Sequence, residues 1–236
     1  DLGDVSAGSL TVSGTGSYDA TGAGATDSLT TSGAIQLTGG TLTLAGLTVS
    51  CGGLTQTGGT LNAGSSSISS SGSVAVTAGT FTEGTSTLTM TGAATSVRFT
   101  GPRRPYDLLI APGAANTVTI DTDDLTVGNA LTVTNGTFST NSTNLTVLGS
   151  ATVSGTLTGS AAPDQIVVNG NTTATGTINL NNGNLTTTNL TISGTLVASN
   201  IETITVNGNL DLSAAGDNYT EASSNLEMAG ATTPVT

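Results

Sequence analysis

The chain has 236 residues, a formal net charge of −12, and only 8% charged and 3% aromatic residues. Its cations are three arginines, and it contains no His. Nucleic acids and anionic membrane surfaces are bound through clustered Lys and Arg, so this balance argues against both as partners. No segment approaches the roughly 20 consecutive apolar residues of a membrane-spanning helix, so membrane insertion is not expected.

A Gly-Thr-apolar phrase recurs along the chain at a nearly constant spacing. Its threonines are Thr41, Thr60, Thr80, Thr137, Thr156, Thr177 and Thr195. The one long gap, between Thr80 and Thr137, equals three of the usual steps, and Arg98-Phe99 and Thr117-Val118 stand where the two missing copies belong. A fixed period of this length is typical of solenoids, so we predict a 19–20 residue repeat that continues through the Pro-rich segment.

Each period divides into three short runs in which Leu, Val or Ile alternates with Thr. In the first complete period these runs cover 41–44, 47–50 and 54–57, with Gly-containing corners between them. Strict alternation predicts half-buried strands, and Gly permits tight corners. We therefore predict an all-β fold, a three-sided parallel β-solenoid of about eleven coils, as one continuous domain over 1–236.

The apolar residue of each Gly-Thr phrase is predicted to point inward and to stack on its equivalents in neighbouring coils. The predicted inward stack comprises Leu42, Leu61, Phe81, Phe99, Val118, Phe138, Leu157, Ile178 and Leu196. Tyr18 and Tyr219 extend this stack before and after. The flanking threonines are predicted to form the outer wall, because β-branched residues suit the exterior of a strand.

The period, the Gly/Asn corners and phrases such as "LTVTNGTFST" and "LTVLGSATVSGTLTG" resemble the right-handed β-helical repeats of filamentous haemagglutinin-type adhesins and autotransporter passengers. The resemblance covers nearly the whole chain and lies in the pattern of the repeats. It implies a right-handed solenoid at the cell surface or outside the cell. It implies no particular activity.

The segment "GPRRPYD" at 101–107 forms the one irregular corner loop. The repeat places it one coil before an acidic corner, so Arg103 and Arg104 are expected to lie one strand spacing from carboxylates. The carboxylates of that corner are Asp121, Asp123 and Asp124. One interpretation is a charge ladder within the chain, in which each exposed pair contributes only ~0–1 kcal/mol.

Two other interpretations of this region stay open. The loop can protrude, with Arg103, Arg104 and Tyr106 contacting a neighbouring subunit or a surface ligand, since loops on rigid scaffolds often carry binding. The acidic corner of Asp121, Asp123 and Asp124, with Asp107, can alternatively offer several oxygen ligands to Ca²⁺.

Outward Thr-x-Thr pairs at 41/43, 80/82, 117/119 and 156/158 resemble the ice-binding face of antifreeze solenoids. The alternative is that Thr is simply the usual exterior residue of a strand. Cys51, the single Cys, is interpreted as a small buried or corner residue, with a cross-linking thiol as the alternative.

The sequence favours a structural role over catalysis. Solenoid enzymes place paired carboxylates or a basic catalyst in a cleft, whereas most acids here stand alone at corners, and no cofactor motif is present. We predict an extracellular or cell-surface rod that acts as a fibre subunit by head-to-tail stacking or as an adhesin stalk. Ice binding, a carbohydrate-binding surface and a phage-fibre module are the alternatives.

Overall fold

The structure, a computed structural model, describes residues 3–21, 26–160, 164–212, 218–221 and 223–230. These residues form a parallel β-solenoid of about ten turns, built from thirty strands and no helix. The predicted all-β, three-sided solenoid is therefore confirmed. Its description as a single domain stays a prediction.

The first ten strands are β1 (Val5–Ala7), β2 (Leu10–Val12), β3 (Ser17–Asp19), β4 (Ser28–Thr31), β5 (Ala34–Leu37), β6 (Thr41–Thr43), β7 (Thr48–Cys51), β8 (Gly53–Asn62), β9 (Ser67–Ser70) and β10 (Val74–Thr82). The next ten are β11 (Thr87–Met90), β12 (Thr95–Phe99), β13 (Asp107–Ile110), β14 (Thr117–Ile120), β15 (Leu125–Val127), β16 (Leu131–Val133), β17 (Thr137–Ser139), β18 (Leu145–Val147), β19 (Ala151–Val153) and β20 (Thr156–Thr158). The last ten are β21 (Gln165–Val168), β22 (Thr172–Ala174), β23 (Thr177–Asn179), β24 (Asn184–Thr187), β25 (Leu190–Ile192), β26 (Thr195–Ala198), β27 (Thr203–Val206), β28 (Leu210–Asp211), β29 (Asn218–Glu221) and β30 (Asn225–Met228).

The strands stack into three walls, which we call A, B and C. Wall A contains β1, β4, β7, β9, β11, β13, β16, β19, β22, β25 and β28. Wall B contains β2, β5, β8, β10, β12, β14, β17, β20, β23, β26 and β29. Wall C contains β3, β6 and the second halves of β8 and β10, and then, after an interruption, β15, β18, β21, β24, β27 and β30.

Alternation along each strand sends apolar side chains inward and hydroxyl side chains outward. Strands such as β16 on wall A have two buried residues flanking one outward Thr. Strands such as β20 on wall B have one buried Leu between two outward threonines. A single apolar cluster, from Val12 to Leu210, fills the interior. One coil cannot bury its own apolar face, so the stacking of coils creates this core.

The predicted inward stack is wrong as a single column, because it divides between two walls. Tyr18, Leu42, Leu61 and Phe81 lie in register on wall C. Val118, Phe138, Leu157, Ile178, Leu196 and Tyr219 lie in register on wall B. Phe99 belongs to neither column, since it pairs with Val76 on wall B. Eight of the nine predicted residues are nevertheless buried, and Phe81 is half-buried.

The division of the column has a local cause. Residues 100–106 occupy the position of wall C without forming a strand. The repeated phrase, which lies on wall C before this point, therefore lies on wall B from β14 onward. The long gap between Gly-Thr phrases is therefore not three complete coils, because Thr80 lies on wall C and Thr137 on wall B.

The length of a coil also varies more than the sequence predicts. The coil from Val5 to its partner Leu29 contains more residues than the coil from Thr172 to its partner Leu190. The strands of both coils nevertheless pair in parallel with those of the next coil.

Candidate functional site

Wall C is interrupted at one coil, and this break is the candidate site. The second half of β10, Thr80–Thr82, pairs with a strand of the preceding coil but with none in the following coil. Pro102 and Pro105 lack the N–H that a strand ladder requires, and Gly101 has a φ of 71°. The sequence therefore turns here instead of pairing, and wall C resumes only at β15.

The Arg103 side chain binds the unpaired edge that the break leaves. Its Nε and Nη2 both donate to the carbonyl oxygen of Gly79, at 2.9 and 2.5 Å. Its Nη1 donates to the carbonyl oxygen of Thr100 at 2.8 Å. The guanidinium thus takes the place of strand donors that the loop cannot supply.

The predicted ladder between the two loop arginines and the acidic corner is wrong. Arg103 bonds to Gly79 and Arg104 pairs with Glu83, both in the preceding coil, so neither arginine pairs with the acidic corner. The Nε of Arg104 lies 3.2 Å from Glu83 Oε1, close enough for an ion pair but without the geometry of a hydrogen bond. Both side chains are partly exposed, so the pair contributes at most about 1 kcal/mol.

Arg98 is the arginine that contacts the acidic corner. Its Nε donates to Asp123 Oδ2 at 2.5 Å, and the Thr100 hydroxyl donates to the same oxygen at 3.0 Å. These bonds, first that from Arg98 and then that from Thr100, lower the pKa of Asp123 below its ordinary value. Each side chain of the ion pair is 34% exposed, so its contribution to stability is small.

The structure does not support the calcium hypothesis for the acidic corner. Asp123 is engaged by Arg98, whereas Asp124 accepts bonds from the backbone N–H and the side-chain amide of Asn144 in the next coil. Asp107 accepts from Asn129 Nδ2 and from a backbone N–H. Across the described ranges, no three His, Cys, Asp or Glu side chains converge as metal ligands do.

A surface cavity of about 290 Å³ lies beside the break. It is lined by Gly79, Thr80, Phe81, Pro102 and Arg103. The Phe81 ring packs on that of Phe99, with centroids 5.4 Å apart and planes at 59°, and it remains partly exposed. An aromatic ring, a hydroxyl and a guanidinium therefore share one opening.

A second cavity, of about 390 Å³, lies on wall A where the loop ends. Its lining includes Asp107, Leu109, Thr132 and Thr134. Tyr106, a predicted contact residue, is half-buried next to this lining, and its carbonyl oxygen accepts from the backbone N–H at position 129 at 2.7 Å. The first cavity thus lies at the break, whereas the second lies on paired strands of wall A.

The Thr-x-Thr pairs do not form the single outward face that the sequence predicts. Thr41/Thr43 and Thr80/Thr82 lie on wall C, whereas the later pairs lie on wall B. Wall B does carry one column of five threonines in register. These are Thr117, Thr137, Thr156, Thr177 and Thr195. Ice binding by this shorter array stays a prediction.

Cys51 lies at the end of β7 with its side chain in the core. It is 3% exposed, and burial raises the pKa of its thiol. This placement fits the interpretation of Cys51 as a small core residue, since a cross-linking thiol must be accessible.

The chain matches no protein-family model, and neither curated proteins nor solved structures give a match. The resemblance to adhesin and autotransporter repeats thus stays at the level of a parallel β-solenoid. Within the described ranges, the structure contains no helix with the length and apolar character of a membrane span.

Sequence reasoning misses two residues of the site. It does not place Glu83 beside Arg104, and it does not distinguish Phe81 from the other inward residues. Both depend on the break in wall C. The two prolines of the loop are the only local signal for it, and they do not reveal which coil the loop faces.

Proposed function

We propose that the protein is a structural rod at the cell surface or outside the cell, acting as an adhesin-like stalk or fibre subunit. The observation that carries this proposal is the single apolar core, which runs from Val12 to Leu210 beneath three walls of short polar side chains. A repeat stack of this kind resists bending and spans a distance, and neither property requires a catalytic site.

Head-to-tail self-association is the mode of assembly that we propose for a fibre. A heterologous contact between copies of one rod does not close, so it extends into a filament. The coils already pair with one another in parallel along walls A and B, and such a contact would continue the same pairing.

The proposal is tested by immunogold labelling and negative-stain microscopy of intact producing cells. We expect label on fibres or projections at the cell surface, because a rod that stacks head to tail extends without closing. Label that appears only after the cells are broken would contradict the proposed location. Single short particles at the surface would retain the stalk and exclude the filament.

A further inference from the structure

The cavity at the break in wall C combines a partly exposed aromatic ring with an arginine side chain. Among the partly buried core residues, Phe81 is the one far from the outermost described coils. Its ring is partly exposed, and no strand of wall C follows Thr80–Thr82 to cover it. The break thus exposes in mid-rod an apolar surface that stacking covers elsewhere.

Arg103 brings to this cavity a positive charge without a carboxylate partner. Arg98 is paired with Asp123 and Arg104 with Glu83, whereas Arg103 contacts only carbonyl oxygens among the described residues. A guanidinium has five N–H donors. Three are used here, so one N–H on Nη1 and one on Nη2 have no acceptor in the described part of the chain.

We propose that this cavity binds an acidic sugar, a uronic acid residue of a polysaccharide. The ring of Phe81 provides an apolar platform for the C–H face of a pyranose. The two remaining N–H groups of Arg103 donate to its carboxylate, the anion that a guanidinium binds best. The exposed hydroxyl of Thr80 lies at the rim, where the sugar hydroxyls are.

Size and charge agree with this ligand class. A volume of about 290 Å³ is just below the roughly 300 Å³ at which small-molecule sites begin, and so suits a single ring. The net charge of −12 repels anions in general, and Arg98 and Arg104 are paired with Asp123 and Glu83, so Arg103 is the cation that attracts an anion to this cavity. At physiological salt the screening length is about 8 Å, so the acids in distant coils act only weakly on a ligand beside Arg103.

The proposal is tested by isothermal titration calorimetry at physiological salt. The purified chain is titrated with a short oligogalacturonate and, separately, with the methyl ester of the same oligomer. Esterification removes the carboxylate charge and keeps the ring. We expect the acid to bind and the ester to bind about tenfold or more weakly, a difference of one order of magnitude in Kd. Equal binding of both oligomers, or no binding of the acid, overturns the proposal.

Two variants locate the site. Arg103→Ala and Phe81→Leu should each weaken binding about tenfold, whereas Arg98→Ala, which removes a paired cation from the same coil, should change Kd by less than about twofold. Equal losses of affinity in Arg103→Ala and Arg98→Ala would show that the acid is attracted to any cation of the chain, and would overturn the site. The comparison of acid with ester needs no variant, so it decides even if Arg103→Ala misfolds.

This proposal rests on the proposed location at the cell surface or outside the cell, because that is where the protein would meet such a polysaccharide. The two fail separately: labelled rods on intact cells with no sugar binding overturn the sugar site alone. Sugar binding by a protein found only inside cells overturns the proposed location alone.

Discussion

At the scale of single residues, glycine corners determine how closely the coils approach. Gly40 has a φ of 67°, and a Cβ at this position would lie 1.9 Å from the carbonyl oxygen of Gly16 in the preceding coil. That oxygen accepts the Thr41 N–H at 2.9 Å. Gly40 therefore allows both the turn and the first hydrogen bond of the next strand, which only a residue without a Cβ can do.

Gly40→Ala should destabilise the rod, and Gly8→Ala should not. The left-handed conformation alone costs about 1–2 kcal/mol for a residue with a Cβ, and the contact with the Gly16 oxygen adds to this cost. Gly8 has ordinary backbone angles and open space where a Cβ would project, so its effect should stay within about 0.5 kcal/mol. Thermal unfolding followed by far-UV circular dichroism measures both. Equal shifts of Tm would contradict this role of Gly40.

Residue-scale contacts between coils could not be predicted from the sequence in the same way. The sequence places Gly at the corners correctly, because a corner is a local feature. It pairs Arg103 with the wrong coil, because that contact depends on which wall the loop crosses. Arg98 and Asp123 are 25 positions apart, and only the register of the strands brings them together.

At the scale of strands, alternation predicts which residues point inward but does not identify the wall. Runs of the Leu-Thr-Val type occur on all three walls, in β2, β15 and β16, and Thr-Leu-Thr runs also occur on all three, in β6, β11 and β20. The runs look alike wherever they lie, since each packs on copies of itself. The loop at 101–107 could therefore shift the pattern by one wall without a trace in its periodicity.

Leu157→Asp should unfold or strongly destabilise the rod, whereas Thr158→Asp should be tolerated. Leu157 is 1% exposed and stacks between Phe138 and Ile178, so an Asp there is a buried charge without a partner, which costs about 3–5 kcal/mol. Thr158 points outward, and Asp there should cost no more than about 1 kcal/mol through its poor strand propensity. Chemical denaturation compares the two variants. A tolerated Leu157→Asp would contradict the inward assignment of this column.

At the scale of the whole molecule, one stack of coils continues through the break. The fold could be predicted because a short repeat dictates its own stacking. The candidate site could not, because it arises where the repeat fails. Walls A and B remain paired across that coil, through β11, β13 and β16 on wall A and β10, β12 and β14 on wall B.

The most direct test of the continuous stack is a set of spin-label distances along wall A. Outward positions in register on this wall are Thr30, Ser50, Ser69, Thr89, Leu109, Thr132, Thr152, Thr173 and Thr191. One spin label is placed at position 191 and the second at 132, 89, 50 or 30, in a Cys51→Ala background. Pulsed electron paramagnetic resonance then measures the distance between the two labels. Parallel strands lie about 4.8 Å apart, so we expect roughly 14, 24, 34 and 38 Å, rising linearly with the number of coils on both sides of the break. Separations that stop increasing, or broad distributions for pairs that span 101–107, would contradict a single continuous rod.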